Sequence, residues 1–412
     1  MVSPAVYEAG INSEHGRTAV DGERLECDQA VVEEEKNLMR LPVKRAVALA
    51  GAITLSAVGF VAAAATATAS DEGSSNTGFT TSVFAAGSTT LSKPDDITSM
   101  GGSIFVSWQN GVGPKGEPAG NGNLFSTIAR YSSNGQLLNS WQLKGRCDGM
   151  TADPQHERII ATVNEDANTS LYVIKPDADA GEQLTHYTYS PNPPVHQGGT
   201  DAPHIYKGQI FISASAPGDV TAPALYRATL SGTTATLAPV FYDNSTAIVA
   251  NTNDPAHGTS VTLALSDPDS NNVVPRSSSR FGGDFVLDSQ GDGQQVYAHK
   301  LGTSGQKLFL LNLSGAGNST AVDDTVWATS SEGTLYATDG NTTVYAIRGH
   351  FDVGTAFSSV SPANANTPPI TPVPNWLATL NLNTGLLSPV ASVTIHPKGL
   401  LFVAGGDEGE GD

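Results

Sequence analysis

Five aspartates recur at or near the start of apolar runs: Asp96, Asp148, Asp201, Asp284 and Asp324. The first three lie 52 and 53 residues apart. Carboxylates that a repeating fold brings to one axis would hold a hard cation, or would be costly to bury without one. Aspartate also caps turns, so the spacing admits that plainer reading too. Asp288-Ser-Gln-Gly-Asp292-Gly293 matches the opening of a calcium-binding loop. The match fails further on, because Gln290 holds the third position and His299 the twelfth, where a bidentate Glu is needed. Asp267-Pro-Asp269-Ser-Asn271-Asn272 is similarly rich in oxygen. Calcium or magnesium is the cofactor such oxygens suit, and turns account for the same residues.

A general base would come from histidine. His196 and His204 flank a Gly-Gly-Thr-Asp turn, while His257, His299 and His350 lie in other segments. Their spacing selects none of them. The catalytic candidates are therefore His196, His204, His257 and His350. No H-E-x-x-H, G-x-S-x-G or P-loop string is present, and His156-Glu157 lacks the second His of a zinc helix. Gly111, Gly113 and Gly116 show G-x-G-x-x-G spacing, but Pro114 interrupts them and no helical pattern follows, which excludes a dinucleotide cradle. The segment reads as a long surface loop. Trp108 and Asn110 stand at its start, where a ring and an amide could meet a ligand.

The chain has 412 residues, 39% hydrophobic and 15% charged, with 43 Gly and 24 Pro. That suits many short strands joined by tight turns, and not disorder. The formal net charge is -19; the first 69 residues carry 6 basic and 9 acidic side chains, leaving 15 and 31, or -16, beyond them. Such a field repels phosphate backbones, so no nucleic acid partner is expected. A ligand of another kind is: a small molecule, a polymer or a protein. A monomer is expected.

Arg40, Lys44 and Arg45 precede an uncharged stretch from Ala46 to Ala69 that ends in Ala67-Thr68-Ala69. A basic region, an apolar core and a small-x-small site are the parts of a secretory signal peptide. The boundaries read as an extension at 1–38, a signal at 39–69, a linker at 70–79, a folded region at 80–404 and an acidic tail at 405–412. Met39 opens an ordinary leader by itself. The protein is expected to be secreted; retention of 46–69 as a membrane anchor, with the folded region outside, is the alternative. Cleavage would leave Cys147 without a disulfide partner, as a small buried residue.

Between 80 and 404 helical periodicity is nearly absent. Short apolar runs replace it, among them SIFVSWQ, RIIATVN, QIFISAS, DFVLDS and TLYATD. Units such as RCDGMTADPQHERIIATVNED and VDDTVWATSSEGTLYATDG repeat at about 40–50 residues, the cadence of a β-propeller. The expected fold is all-β, a propeller of six blades with seven as the alternative, preceded by the signal peptide. GLLFVAG from Gly399 would pair with SVFAAGS from Ser82 to close the ring. If each recurring Asp opens an innermost strand, all five point near the channel.

IIATVNEDANTSLYVI and EGTLYATDGNTTVYAI resemble the secreted bacterial propellers of the lactonase and streptogramin-lyase-like superfamily. The resemblance lies in strand-turn cadence over most of 80–404 and implies fold more than function. The first functional expectation is an exported, non-catalytic binding propeller. The alternative is a metal-dependent lyase or lactonase-like hydrolase, with channel carboxylates holding the metal and a His as base.

Overall fold

The computed structural model describes residues 78–405, apart from 193, 195–197, 316–319, 341 and 362–375. The extension at 1–38, the signal at 39–69 and residues 406–412 lie outside the described residues, as does His196. No described helix is long and apolar enough to cross a membrane.

After β1 (Thr80–Ala86), the strands β2 (Pro94–Met100), β3 (Ser103–Trp108), β4 (Phe125–Tyr131) and β5 (Leu137–Lys144) form an antiparallel meander. A second meander follows: β6 (Cys147–Asp153), β7 (Arg158–Val163), β8 (Ser170–Ile174) and β9 (Leu184–Ser190). A third comprises β10 (Gly199–Tyr206), β11 (Gln209–Ser215), β12 (Pro223–Ser231) and β13 (Thr234–Tyr242). These two join into one eight-stranded sheet, because β13 runs parallel to β9.

The next sheet has six strands. In order across the sheet they are β16 (Pro268–Val273), β17 (Phe285–Ser289), β18 (Gln294–His299), β19 (Lys307–Asn312), β14 (Thr246–Val249) and β15 (Ser260–Thr262). A five-stranded sheet runs β21 (Val322–Trp327), β24 (Ala356–Val360), β25 (Trp376–Leu380), β26 (Leu386–Pro389), β20 (Ser314–Gly315). The last sheet runs β27 (Pro397–Ala404), β22 (Gly333–Asp339), β23 (Thr343–Arg348), β1.

The strands β2, β6, β10, β16, β21 and β27 each contact the next around an axis, and β27 returns against β2. The arrangement is all-β and propeller-like. The expectation of six or seven separate blades is corrected: the strands form five hydrogen-bonded sheets, since β9 and β13 zip two meanders into one. The direct pairing expected of the last and first strands is also corrected. β27 bonds β22 and β1 bonds β23, so the two strands occupy opposite edges of one sheet. The unit VDDTVWATSSEGTLYATDG is split between two sheets. Its β21 lies in the five-stranded sheet, while the chain crosses to build β22 and β23 in the last sheet before returning for β24.

The continuous apolar runs follow from burial of both sheet faces. In β3, Phe105 packs with Ile128, Leu143 and Ile159 on one side. Its neighbours Ile104, Val106 and Trp108 pack with Tyr336, Val344 and Ala346 on the other. β17 divides in the same way, with Phe285 and Leu287 in one cluster and Val286 in the next. Each fully buried side chain of this size contributes roughly 1.5–3 kcal/mol relative to exposure.

Candidate functional site

All six axial strands carry the same irregularity near their starts. Two residues face one on the neighbouring strand at Asp95-Asp96 in β2, Asp148-Gly149 in β6 and Asp201-Ala202 in β10. The register shifts again at Asp269-Ser270 in β16, Asp323 in β21 and Lys398-Gly399 in β27. A β-bulge of this kind re-aims a side chain. Here the residues are five aspartates and one lysine, and all six line a single cavity of about 240 Å³ at the channel mouth.

Hydroxyls opposite the bulges satisfy the backbone groups that each bulge frees. Asp96 N donates to Ser107 Oγ at 2.8 Å, and Asp324 N to Ser359 Oγ at 2.9 Å. Thr162 donates to the carbonyls of Gly149 and Asp201, Ser213 to that of Ala202, and Thr338 to those of Asp95 and Gly399. Asp288 holds the corresponding place in β17 and accepts from Ser270 Oγ at 2.9 Å. Gly149 and Gly399 follow their charged residues for a steric reason. A Cβ at either would sit 2.4 Å from the backbone of the adjoining axial strand.

The ring is unevenly compensated. Lys398 Nζ lies 3.2 Å from Asp323 Oδ1 and 3.9 Å from Asp95 Oδ1. The Asp323 carboxylate holds that ammonium above its usual range against burial. Gln290 and Ser361 also donate to Asp323. Arg146 Nε lies 2.7 Å from Asp148 Oδ1, and its Nη1 lies 2.8 Å from Glu165 Oε1. Gln109 Nε2 donates to Asp148 Oδ1 at 3.0 Å, while Asp148 Oδ2 is buried without a hydrogen-bond partner. Asp201 and Asp269 have no side-chain hydrogen bond or ion pair among the described residues. Burial raises the pKa of Asp148, Asp201 and Asp269, with Glu165, Asp269 and Asp323 respectively as the next cause. Burial lifts Asp95 to about 6, with Lys398 opposing.

Asp96, Asp148, Asp201 and Asp324 line the cavity as the spacing suggests, but not in one role. Asp96 accepts from Ile97 N at 2.6 Å and from Met150 N on the next axial strand at 2.5 Å. Asp324 likewise accepts from Thr325 N and, across to β27, from Leu400 N, both at 2.7 Å. These two stitch neighbouring strands together. Asp284 is absent from the ring: it precedes β17 and bonds His299 Nδ1 at 2.8 Å. Asp269 stands in the ring in the place expected of Asp284. Asp292 caps a turn, accepting from Ser266 and Ser289. The sequence signal that marks the ring is a charged residue near the start of each axial strand, as in PDDIT, CDGMT, GTDAP, PDSNN, VDDTV and PKGLL.

His204 lines the cavity, edge-on to Phe285 at 6.2 Å, and burial pushes its pKa down to about 4. His257 is exposed, and His350 is exposed beside Glu332. Trp108 is 0% exposed and spends its ring on packing. Asn110 braces the following loop by accepting from Ser92 N and donating to Thr127 Oγ1. Within that loop Gly113 N and Gly116 N bond to the loop's own carbonyls, so no phosphate cradle forms. Cys147 is buried, and burial raises its pKa. Among the described residues no three His, Cys, Asp or Glu side chains are disposed to hold a metal ion.

No family model matches the sequence, and no curated protein does. Solved structures similar to the chain include a protein of unknown function from Bacteroides caccae. It is 8% identical, with 76% of this chain and 87% of that one covered and a TM-score of 0.41. For the periplasmic gluconolactonase of Pseudomonas aeruginosa the values are 15%, 76%, 88% and 0.38. For the glutaminyl cyclase of Myxococcus xanthus they are 12%, 66%, 97% and 0.34. The likeness to lactonase-like propellers is one of fold alone.

Proposed function

We propose that the protein is an exported, non-catalytic binding propeller that takes its ligand in the channel mouth. The observation that carries this reading is the repeated bulge. It turns Asp95, Asp148, Asp201, Asp269, Asp323 and Lys398 into one polar cavity. Six strands spend backbone hydrogen bonds on that convergence, a cost typical of a site and not of a packed core. Export rests on the leader-like segment at 39–69.

A hydrolase or lyase is the second reading, and His204 favours it. Its imidazole lines the same cavity and is held neutral, as a general base must be.

A thermal-shift screen of the full chain against small polar compounds tests the first reading. A ligand at a hundredfold excess over its Kd stabilises by about 2.7 kcal/mol, a shift of several degrees. The expected hit loses its shift in Asp148→Asn. Hits indifferent to the ring residues would refute the reading. Lactone or ester turnover that vanishes in His204→Gln would replace it with the second.

A further inference from the structure

The cavity wall is polarised. Eight carboxyl residues and two permanent cations, Arg146 and Lys398, line it. Both cations are already committed, Arg146 to Asp148 and Glu165, Lys398 to Asp323 and Asp95. On the adjoining strands β10 and β16, Asp201 and Asp269 form no ion pair among the described residues, although Lys398 lies near enough to act on Asp269. Asp269 is the foremost charge acting on Asp201, and Asp323 the foremost acting on Asp269. Asp201 is 4% exposed and faces the cavity, and its carboxyl has no hydrogen-bond donor among the described residues.

Two more acceptors nearby lack donors. Asp148 Oδ2 and Asn271 Oδ1 are buried and unbonded, on residues 7% and 6% exposed. Asn271 is fixed in place, since its Nδ2 donates to the Ala202 carbonyl at 2.6 Å and to Ser213 Oγ at 3.3 Å. A buried acceptor left unmade costs about 1–3 kcal/mol, and an uncompensated carboxylate more. The wall therefore presents two carboxyls without a side-chain partner, backed by two buried unbonded oxygens, and both of its cationic groups are already engaged.

We propose that the channel mouth takes a small organic cation with N–H donors, a primary ammonium or a guanidinium, seated against Asp201 and Asp269. This rests on the reading of the channel mouth as a binding site and names its ligand class. A quaternary ammonium fits poorly, because among the described residues no Trp, Tyr or Phe ring lines the cavity to face it. A divalent metal fits poorly, because the described residues lack three suitable side chains around one point. A guanidinium offers a planar fork of donors and an ammonium three rotatable ones, and both match carboxylate acceptors.

Isothermal titration of the full chain tests this with 1,4-diaminobutane, agmatine, tetramethylammonium and calcium chloride as probes. The amine and the guanidine bind, and tetramethylammonium does not. Asp201→Asn and Asp269→Asn each weaken binding by roughly tenfold or more, as expected for loss of a charge-assisted bond. Asp243→Asn, whose carboxyl lies outside the cavity wall, leaves it unchanged. Thermal melts of both ring variants confirm that they fold. Amine binding that survives both ring substitutions overturns the proposal, and so does calcium binding in place of the amines. If amines fail but a neutral or anionic compound binds in a way that needs Asp201 and Asp269, the ligand class is wrong and the binding reading stands. If no compound binds and the substitutions change nothing, both fall.

Discussion

Removing residues 397–412 abolishes cooperative folding. β27 is the axial strand of its sheet and pairs with β22 from Gly333↔Ala404 to Asp339↔Pro397. It also contacts β2 and β21, the axial strands on either side. Leu400, 3% exposed, belongs to the cluster of Leu335, Ala337 and Phe357, while Leu401 and Val403 pack against that of Val106 and Tyr336. Loss of β27 opens both clusters and leaves Asp95 and Asp323 without Lys398. Leu400→Ala alone costs about 2–5 kcal/mol. A whole domain retains only about 5–15 kcal/mol, so the deletion exceeds what the rest can hold. Circular dichroism on heating shows a broad, non-cooperative loss of β signal in the truncated chain. A single sharp melt within a few degrees of the intact chain would show that closure by β27 is dispensable.

Raising the pH from about 5 to about 8 destabilises the protein by an amount on the order of 5 kcal/mol. Asp243 leads the effect. It is 0% exposed, neither carboxyl oxygen has a hydrogen-bond partner, and burial raises its pKa to about 8, with Asp292 the next cause. Burial likewise lifts Asp96 and Asp288 to about 7 and Asp267 to about 6. In the unfolded chain these groups ionise near 3.8. The folded state keeps its protons longer, so their contribution is whole below that value and is lost as the pH climbs through 6 to 8. Two groups work the other way. Burial raises Asp153, but bonds from His156 and Arg158 outweigh it and hold the carboxyl below its usual value, while burial itself holds His204 down. Their contributions are lost on the acid side, below 3.8 for Asp153 and from 6.5 down to about 4 for His204. Denaturant titrations across this range show the decline. Asp243→Asn is neutral at about pH 4 and stabilising by roughly 2–4 kcal/mol at about pH 8. Equal stability at the two pH values, in wild type and variant, would mean that these carboxyls are solvated.

The strands are legible because burial on both faces leaves whole runs apolar, as in SIFVSW and RIIATV. The membership of the charged ring is less so. The residues that form it are spaced 53, 53, 68, 54 and 75 apart, read from Asp95 to Lys398. The two long intervals have identifiable causes. β14 and β15 intervene before β16, and the β22–β23 hairpin is inserted between β21 and β24 before β27 is reached. A strict period of 53 from Asp201 points to position 254, short of Asp269, so spacing does not choose between Asp269 and Asp284. The choice between Asp95 and Asp96, or Asp323 and Asp324, is hidden for another reason. A bulge adds a residue and breaks the alternation that would say which side chain faces the axis. Trp108 misleads because an aromatic before a Gly-rich loop looks available, whereas the neighbouring sheet covers it. Lys398 carries no acidic signal at all, and only its position after Pro397 aligns it with the aspartates.

The convergence of these carboxyls on one cavity is tested most directly by infrared difference titration of the full chain, following the protonated carboxyl band. Buried aspartates without a partner keep their protons, so the band persists well above the ordinary aspartate range, and it shrinks in Asp201→Asn and in Asp269→Asn. A band that disappears near the ordinary aspartate value, unchanged by either substitution, would mean that the ring does not assemble.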